Sequence, residues 1–459
     1  MPAATIVHPP TPAASSDGLP TPQRYWAMLT IAIGITMAVL DSAVINIALP
    51  VMARELNETA AATVWVVNAY QIAIVVALLP LSALGERIGY ARVYRVGVVI
   101  FTAASLACAL SDTLPALVAS RTLQGLGAAG IMSVNPALVR YTYPDRMLGR
   151  GLGLNALVVS FAAAIGPTLA SGILSLGPWP WLFAINVPFG ILNAALAWHV
   201  LPASDRSPRP FDWTSAVLNA LVLGLFFVGI GEVSHGQGPI WMGLLALALA
   251  VPAGMLLVRR QVHADAPLIP FDLLRIPVFA LSITASVCSF AAYMLAFVSL
   301  PFYFQQLGRS TVETGLLMTP WPVALGIVAP VAGRLSDRFP ASWLGGIGMI
   351  VLAAGLASLA LMPADPDALD VVWRMALGGA GFALFQSPNN RIMLSAAPRS
   401  RAGAAGGMLA TARLLGQTGG ASLTAILFAT VPGIAEPICL WAGVALALLA
   451  AAASLARAR

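Results

Sequence analysis

Apolar runs of about 20 residues recur along nearly the whole chain, broken only by short polar segments. As a helix rising 1.5 Å per residue, such a run spans the roughly 30 Å hydrocarbon layer of a bilayer. Only helices and closed barrels satisfy their own backbone hydrogen bonds there, and a barrel needs short segments of alternating polarity that this chain lacks. The chain is 59% hydrophobic and 9% charged, whereas a soluble domain carries roughly 25% charged residues. These features predict an all-α integral membrane protein of fourteen transmembrane helices between residues 25 and 456, with no large soluble domain.

All 24 basic residues are arginine. Without lysine there is neither a Walker A phosphate loop nor a pyridoxal Schiff base, so any active transport draws on something other than ATP bound through that motif. Cys108, Cys288 and Cys439 are isolated, which argues against disulfide and metal roles. There is no G-x-S-x-G elbow, paired intramembrane carboxylates or H-E-x-x-H, so an enzyme is not expected, nor a cofactor or nucleic-acid partner.

Arginine positions set the expected orientation. With the N-terminus inside, 19 of the 24 fall in cytoplasmic segments, which predicts a multi-pass protein of the bacterial inner membrane with both termini cytoplasmic. The first 22 residues, rich in Pro, Ala, Ser and Thr, read as a disordered tail.

The chain also repeats itself. Leu49-Pro50 returns as Leu300-Pro301, Glu86-Arg87 as Asp337-Arg338, Arg121 and Gly125 as Arg374 and Gly378, and Gly166 as Gly419. All lie 251 to 253 residues apart, a shift of eight helices between units of six. The expected order is a tail (1–24), a six-helix bundle (25–201), two inserted helices with their loops (202–277) and a second six-helix bundle (278–459). In such parallel repeats the substrate site lies between the halves near mid-membrane.

Asp41 stands out in this frame. It lies inside the first apolar run, beside Asn46 and a Pro50 that reads as ending the helix. A carboxylate at bilayer depth costs at least about 3 kcal/mol and is seldom kept without use. Reversible protonation suits it to a transporter driven by a proton gradient; a structural acid bonded to a neighbouring helix is the other reading.

Leu40 to Pro50, with the pattern L-D-x-x-x-x-N-x-A-L-P, Ser82 to Gly89, Leu117 to Ala128 (L-x-x-x-R-x-x-Q-G-x-G-A), Ala164 to Gly172 and Trp181 to Gly190 resemble, in order, signatures of the major facilitator superfamily, specifically its fourteen-helix drug:proton antiporter branch. The resemblance covers essentially residues 25 to 456. Departures include Ser82 and Glu86 in the loop motif, where glycine and aspartate are usual. It implies two pseudo-symmetric six-helix bundles plus two linker helices, working as a monomer in the lipid bilayer on protons and a small-molecule substrate.

The resemblance also distributes roles. Asp41 and Arg121, each roughly 10 Å from the same membrane face on straight helices, would share proton coupling. The guanidinium would favour the charged carboxylate, and loss of water the neutral acid. Glu86, Arg87, Asp337 and Arg338 would gate the cytoplasmic end, and Gly166 and Pro167 would form a hinge. Asn46, Asn68, Gln71, Gln124, Tyr293, Trp321, Gln386 and Arg413 are candidates for the substrate cavity. Arg374 and Arg413 are read as intramembrane arginines without an acid on their own helices, open to carbonyls, substrate or Asp41. The implied function is proton-coupled export of small amphipathic compounds or drugs, with a single carboxylate suiting monovalent cations and neutral molecules. The alternative is export of an endogenous metabolite or self-made antibiotic on the same fold.

Overall fold

In a computed structural model of the chain, the described residues are 18–144, 147–204, 211–235, 240–262, 271–336, 338–363, 366–396, 402–431 and 433–457. They are helical throughout, without strands. The first group of helices comprises α1 (Gln23–Glu55), α2 (Ala60–Thr63), α3 (Trp65–Ile88), α4 (Tyr90–Ala109), α5 (Leu114–Thr142), α6 (Leu148–Leu176), α7 (Trp181–Ala184) and α8 (Asn186–Val200). Two long helices follow, α9 (Trp213–His235) and α10 (Ile240–Val262), then the short α11 (Phe271–Leu274). The last group is α12 (Pro277–Gln306), α13 (Thr311–Met318), α14 (Pro320–Leu335), α15 (Ala341–Ala360), α16 (Ala368–Ala396), α17 (Ala402–Thr430) and α18 (Ala435–Ala456).

Among the described residues, eleven helices are long and apolar enough to cross a membrane, or twelve if the bent α6 counts as one span. The pairs α2–α3, α7–α8 and α13–α14 each make one such span. Helices α5 and α17, at 29 residues each, have the length as well. Glycines and the intramembrane Arg121 and Arg413 dilute their apolar character. Together these account for the fourteen expected crossings.

Local details depart from the sequence reading. Pro50 does not end its helix: α1 runs on to Glu55, and Pro301 is likewise internal to α12. Residues 18–22, assigned above to a disordered tail, lie against the end of α5. There Leu19 N donates to Thr142 O at 3.1 Å, and Arg24 Nη2 donates to Leu19 O at 2.8 Å. Helix α6 bends by 41° between Leu157–Ala163 and Ile165–Leu176. Pro167 explains the position, since its missing N–H leaves the carbonyl four residues back unpaired just where the axis turns.

In the first group α4 packs on α5, α5 on α3, and α1 on α6 and α8; in the last group α15 packs on α16 and α18, and α12 on α17 and α18. The groups meet where α6 touches α13 and α14, α3 touches α17, and α1 touches α12. Helix α9 lies across the α3–α17 seam, and its Asn219 Nδ2 donates to Val76 O at 3.0 Å. Helix α10 packs on α9 and is otherwise largely exposed.

The repeat extends to packing detail. A Cβ at Gly97 of α4 would come within 2.9 Å of Gly127 O, and a Cβ at Gly348 of α15 within 2.8 Å of Gly381 O. These glycines let backbones approach where lipid supplies no hydrophobic drive to association. Gly172 is different: nothing lies within 4 Å of a Cβ there, so close packing does not explain it. At the turn between α3 and α4, Gly89 has φ +102°, a conformation that favours glycine. Gly97→Leu and Gly348→Leu should each lower thermal stability in detergent by the equivalent of about 1–3 kcal/mol through overpacking, whereas Gly172→Leu should leave it unchanged; fluorescence-detected unfolding of the three variants makes the comparison.

Candidate functional site

Asp41 lies on the buried face of α1, and its carboxylate is fully enclosed. Every hydrogen bond it accepts comes from another helix. From α5, Arg121 Nη1 ion-pairs with Oδ2, and Gln124 Nε2 donates to Oδ1 at 2.8 Å. From α8, Asn186 Nδ2 donates to the same Oδ1 at 3.0 Å. One carboxylate therefore ties three helices together in a region without bulk water.

The arginine is equally committed. Its Nε donates to Val66 O at 2.9 Å and its Nη1 to Gln124 Oε1 at 2.6 Å. The guanidinium carbon lies 4.1 Å from the centre of the Tyr70 ring and 5.5 Å from that of Phe183, so aromatic faces replace part of the lost hydration. Tyr70 is held by its own hydroxyl, which donates to Ala38 O at 2.9 Å. Gln124 also donates to Ser105 Oγ at 2.9 Å and accepts from Cys108 Sγ at 3.6 Å, which brings α4 into the network.

Beside Asp41 is a crevice of about 10 Å³, room on the order of one water, lined by Leu40, Val44, Leu169, Ile173 and Asn186 among others. It runs between α1, α6 and α8. Leu169 and Ile173 follow directly on Pro167, and a Cβ at Gly166 would meet the Ala43 Cβ at 2.6 Å. The α6 bend therefore sits against the segment of α1 that carries the carboxylate.

The Asp41–Arg121 pairing expected from sequence is present, and Gln124 joins it rather than facing a cavity. Asn186 is a functional candidate that the sequence reading missed, although it is the one side-chain amide in the Trp181–Gly190 motif. Asn46 does not reach Asp41: its Nδ2 bonds Ser42 O at 3.3 Å and its Oδ1 is buried without a partner. The Asn68 and Gln71 side-chain oxygens are also buried and unpartnered, while Gln71 Nε2 reaches Met294 Sδ at 3.9 Å across the seam. Gln386 of α16 is partly exposed. Tyr293 and Trp321 belong to an aromatic cluster with Phe297 and Phe382 in the second half.

Arg374 requires a correction. Asp370, in the first turn of α16, ion-pairs with it at 3.0 Å, and Arg374 also bonds Ser358 O. The two repeat-related arginines thus differ, and only Arg121 serves the site. Glu86 and Arg87 close α3, Arg338 follows α14, and all three are exposed; Asp337 lies outside the described residues.

Arg121→Leu should destabilise the protein by about 3–5 kcal/mol, because it strands a buried carboxylate, and adding Asp41→Asn should recover most of that loss. Thermal unfolding of the two single variants and the double variant in detergent would show the coupling, and additive effects would count against it.

Comparison with known proteins agrees with this architecture. The model of the Major Facilitator Superfamily matches residues 31–421. The uncharacterized transporter YebQ of Escherichia coli (strain K12) is 52% identical over 448 residues, covering 96% of this chain and 97% of that protein. The riboflavin transporter RibZ of Clostridioides difficile (strain 630) is 30% identical, covering 89% of each. The tetracenomycin C resistance and export protein of Streptomyces glaucescens is 31% identical, covering 93% of this chain and 79% of that one. A D-xylose-proton symporter crystal structure superposes with a TM-score of 0.69 at 16% identity, covering 93% and 96%, which speaks to fold alone. With eleven or twelve apolar membrane-length spans among the described residues and this family match, the chain is a multi-pass membrane transporter that belongs to the Major Facilitator Superfamily.

Proposed function

We propose that the protein is a proton-coupled antiporter that exports small amphipathic compounds across the bacterial inner membrane by alternating access, with both termini cytoplasmic. The observation that carries this reading is the enclosed Asp41 carboxylate, held entirely by side chains from helices other than its own. Protonation of Asp41 removes the charge that Arg121 neutralises and leaves Gln124 and Asn186 competing for a weaker acceptor. Contacts of α1 with α5 and α8 then loosen together. Helix α6, which lines the Asp41 crevice, carries that change to the other half.

The halves are joined through α6 and near its end. Thr168 and Thr319 share a hydrogen bond of 2.8 Å, and Ser171 Oγ donates to Thr311 O at 3.3 Å. Arg54 Nη2 bonds Gln305 Oε1 at 3.2 Å at the same, arginine-poor end. With arginine-rich segments inside, these bonds close the outer face, and moving α6 against α13 opens it. Relatives that include a tetracenomycin C resistance and export protein and the methylenomycin A resistance protein of Streptomyces coelicolor support export as the direction. The riboflavin transporter among them keeps an endogenous metabolite as the second reading of the cargo. Exposed Glu86, Arg87 and Arg338, with Asp337, would set the balance at the cytoplasmic end.

In proteoliposomes, Asp41→Asn should abolish cargo movement driven by a pH gradient while the protein stays folded; wild-type pumping by that variant would sink the reading. A Thr168→Cys/Thr319→Cys pair should crosslink on mild oxidation and stop transport, with reduction restoring it. Continued transport by fully crosslinked protein would exclude opening at this seam.

A further inference from the structure

Among the described residues, three arginines set into the fold have partners and a fourth does not. Arg121 has its ion pair and carbonyl, Arg374 has Asp370, and Arg457 bonds Ser282 Oγ at 2.7 Å and Asn389 Oδ1 at 2.6 Å. Arg413 has no hydrogen bond or ion pair among the described residues, and its Nε is enclosed without a partner. It lies about eleven residues into α17, roughly 17 Å along the helix from its start, beyond reach of lipid headgroups. The helix is one of those at the seam between the halves, and the side chain is only partly covered. An unpaired guanidinium at such depth is expensive to keep and has a function by default.

Its surroundings describe a ligand. Helix α17 packs on α12, with Gly416 against Phe290 and Gly420 against Met294, which brings the Arg413 stretch alongside Tyr293, whose hydroxyl has no hydrogen bond among the described residues. The Tyr293 ring stacks on Phe382 at 5.4 Å and lies 4.2 Å from Phe297 and 5.9 Å from Trp321. Trp321 Nε1 is a second enclosed donor without an acceptor. These donors stand beside an aromatic wall, and the planar guanidinium fork matches a carboxylate or sulfonate. Asp41 cannot fill this role, since Arg121, Gln124 and Asn186 already occupy its oxygens.

We propose that Arg413 anchors the anionic group of the transported molecule while Tyr293, Phe297, Trp321 and Phe382 hold its flat apolar body, so that the cargo class is an amphipathic aromatic carboxylate or sulfonate. The proposal rests on the reading of the protein as a small-molecule exporter, and it replaces the cation preference that a single intramembrane acid suggests. A lipophilic cation here would face an uncompensated positive charge in a region of low dielectric.

The test is equilibrium binding to detergent-solubilised full-length protein with no pH gradient, so it reads the cargo site whether or not transport is proton-driven. The probes are 2-naphthoate, 2-naphthamide and 2-naphthylmethylammonium, followed by calorimetry. Naphthoate should bind at least about tenfold more tightly than the ammonium isostere. Arg413→Gln should remove that advantage while leaving amide binding within about twofold, and Arg413→Lys should retain the anion preference. Equal affinities, a preference for the ammonium, no naphthoate binding at millimolar concentration, or an unchanged profile in Arg413→Gln would each overturn the proposal. Were Arg413→Gln to fail to fold, the wild-type ranking and the Arg413→Lys profile would still decide it. Asp41→Asn should leave the ranking intact, which separates failure of this inference from failure of proton coupling.

Discussion

The ion pair between Asp41 and Arg121 sets the terms for the first half of the molecule. Bringing both charges out of water carries a cost of several kcal/mol each, which attraction alone does not reliably recover. Here the remaining valences are filled by Gln124, Asn186 and the Val66 carbonyl, with Tyr70 and Phe183 flanking the guanidinium. A network satisfied to this degree holds α1, α3, α5 and α8 in one arrangement. Changing the charge on one carboxyl oxygen alters the balance for all of them. That is the property required of a switch, and it follows from completeness rather than from strength.

The second half is built on the same plan but spends its polar residues differently. Glycines at matching positions bring α4 to α5 and α15 to α16, so the scaffold repeats. The chemistry does not. Arg374, the counterpart of Arg121, is drawn to Asp370 at the start of its own helix, and the place of Asp41 falls to the apolar-aromatic surroundings of Ala292 and Tyr293. Duplication supplied two equal supports, and the first carries a buried acid with partners from two other helices. The other presents rings and, in Arg413, a guanidinium without a partner among the described residues.

Much of this was legible in the chain. Apolar run length located the spanning helices because hydrocarbon thickness leaves few alternatives. The depth shared by Asp41 and Arg121 followed from residue counts on straight helices. What escaped the sequence depended on rotation about helix axes and on contacts between distant segments. Asn186 reads as one polar residue in an aromatic stretch until α8 is turned toward α1. Gln124 reads as cavity lining until its amide is seen to meet both members of the ion pair. Pro50 looks like a terminator, yet α1 continues past it to Glu55, at the cost of the backbone hydrogen bond that proline cannot donate. Asp370 was overlooked as a partner for Arg374, although spacing of four residues on a helix is enough to join them.

The hairpin of α9 and α10 breaks the symmetry of the assembly in a way that bears on how cargo arrives. Helix α9 rests on α3 and α17 together, so one of the two lateral clefts between the lobes is curtained from lipid. Its counterpart beside α6, α13 and α14 has no such cover among the described helices. Among the described helices, a compound dissolved in the bilayer therefore meets the unshielded flank beside α6, and any sliding of α3 past α17 would take place beneath a strap that must travel with one lobe or shear against both.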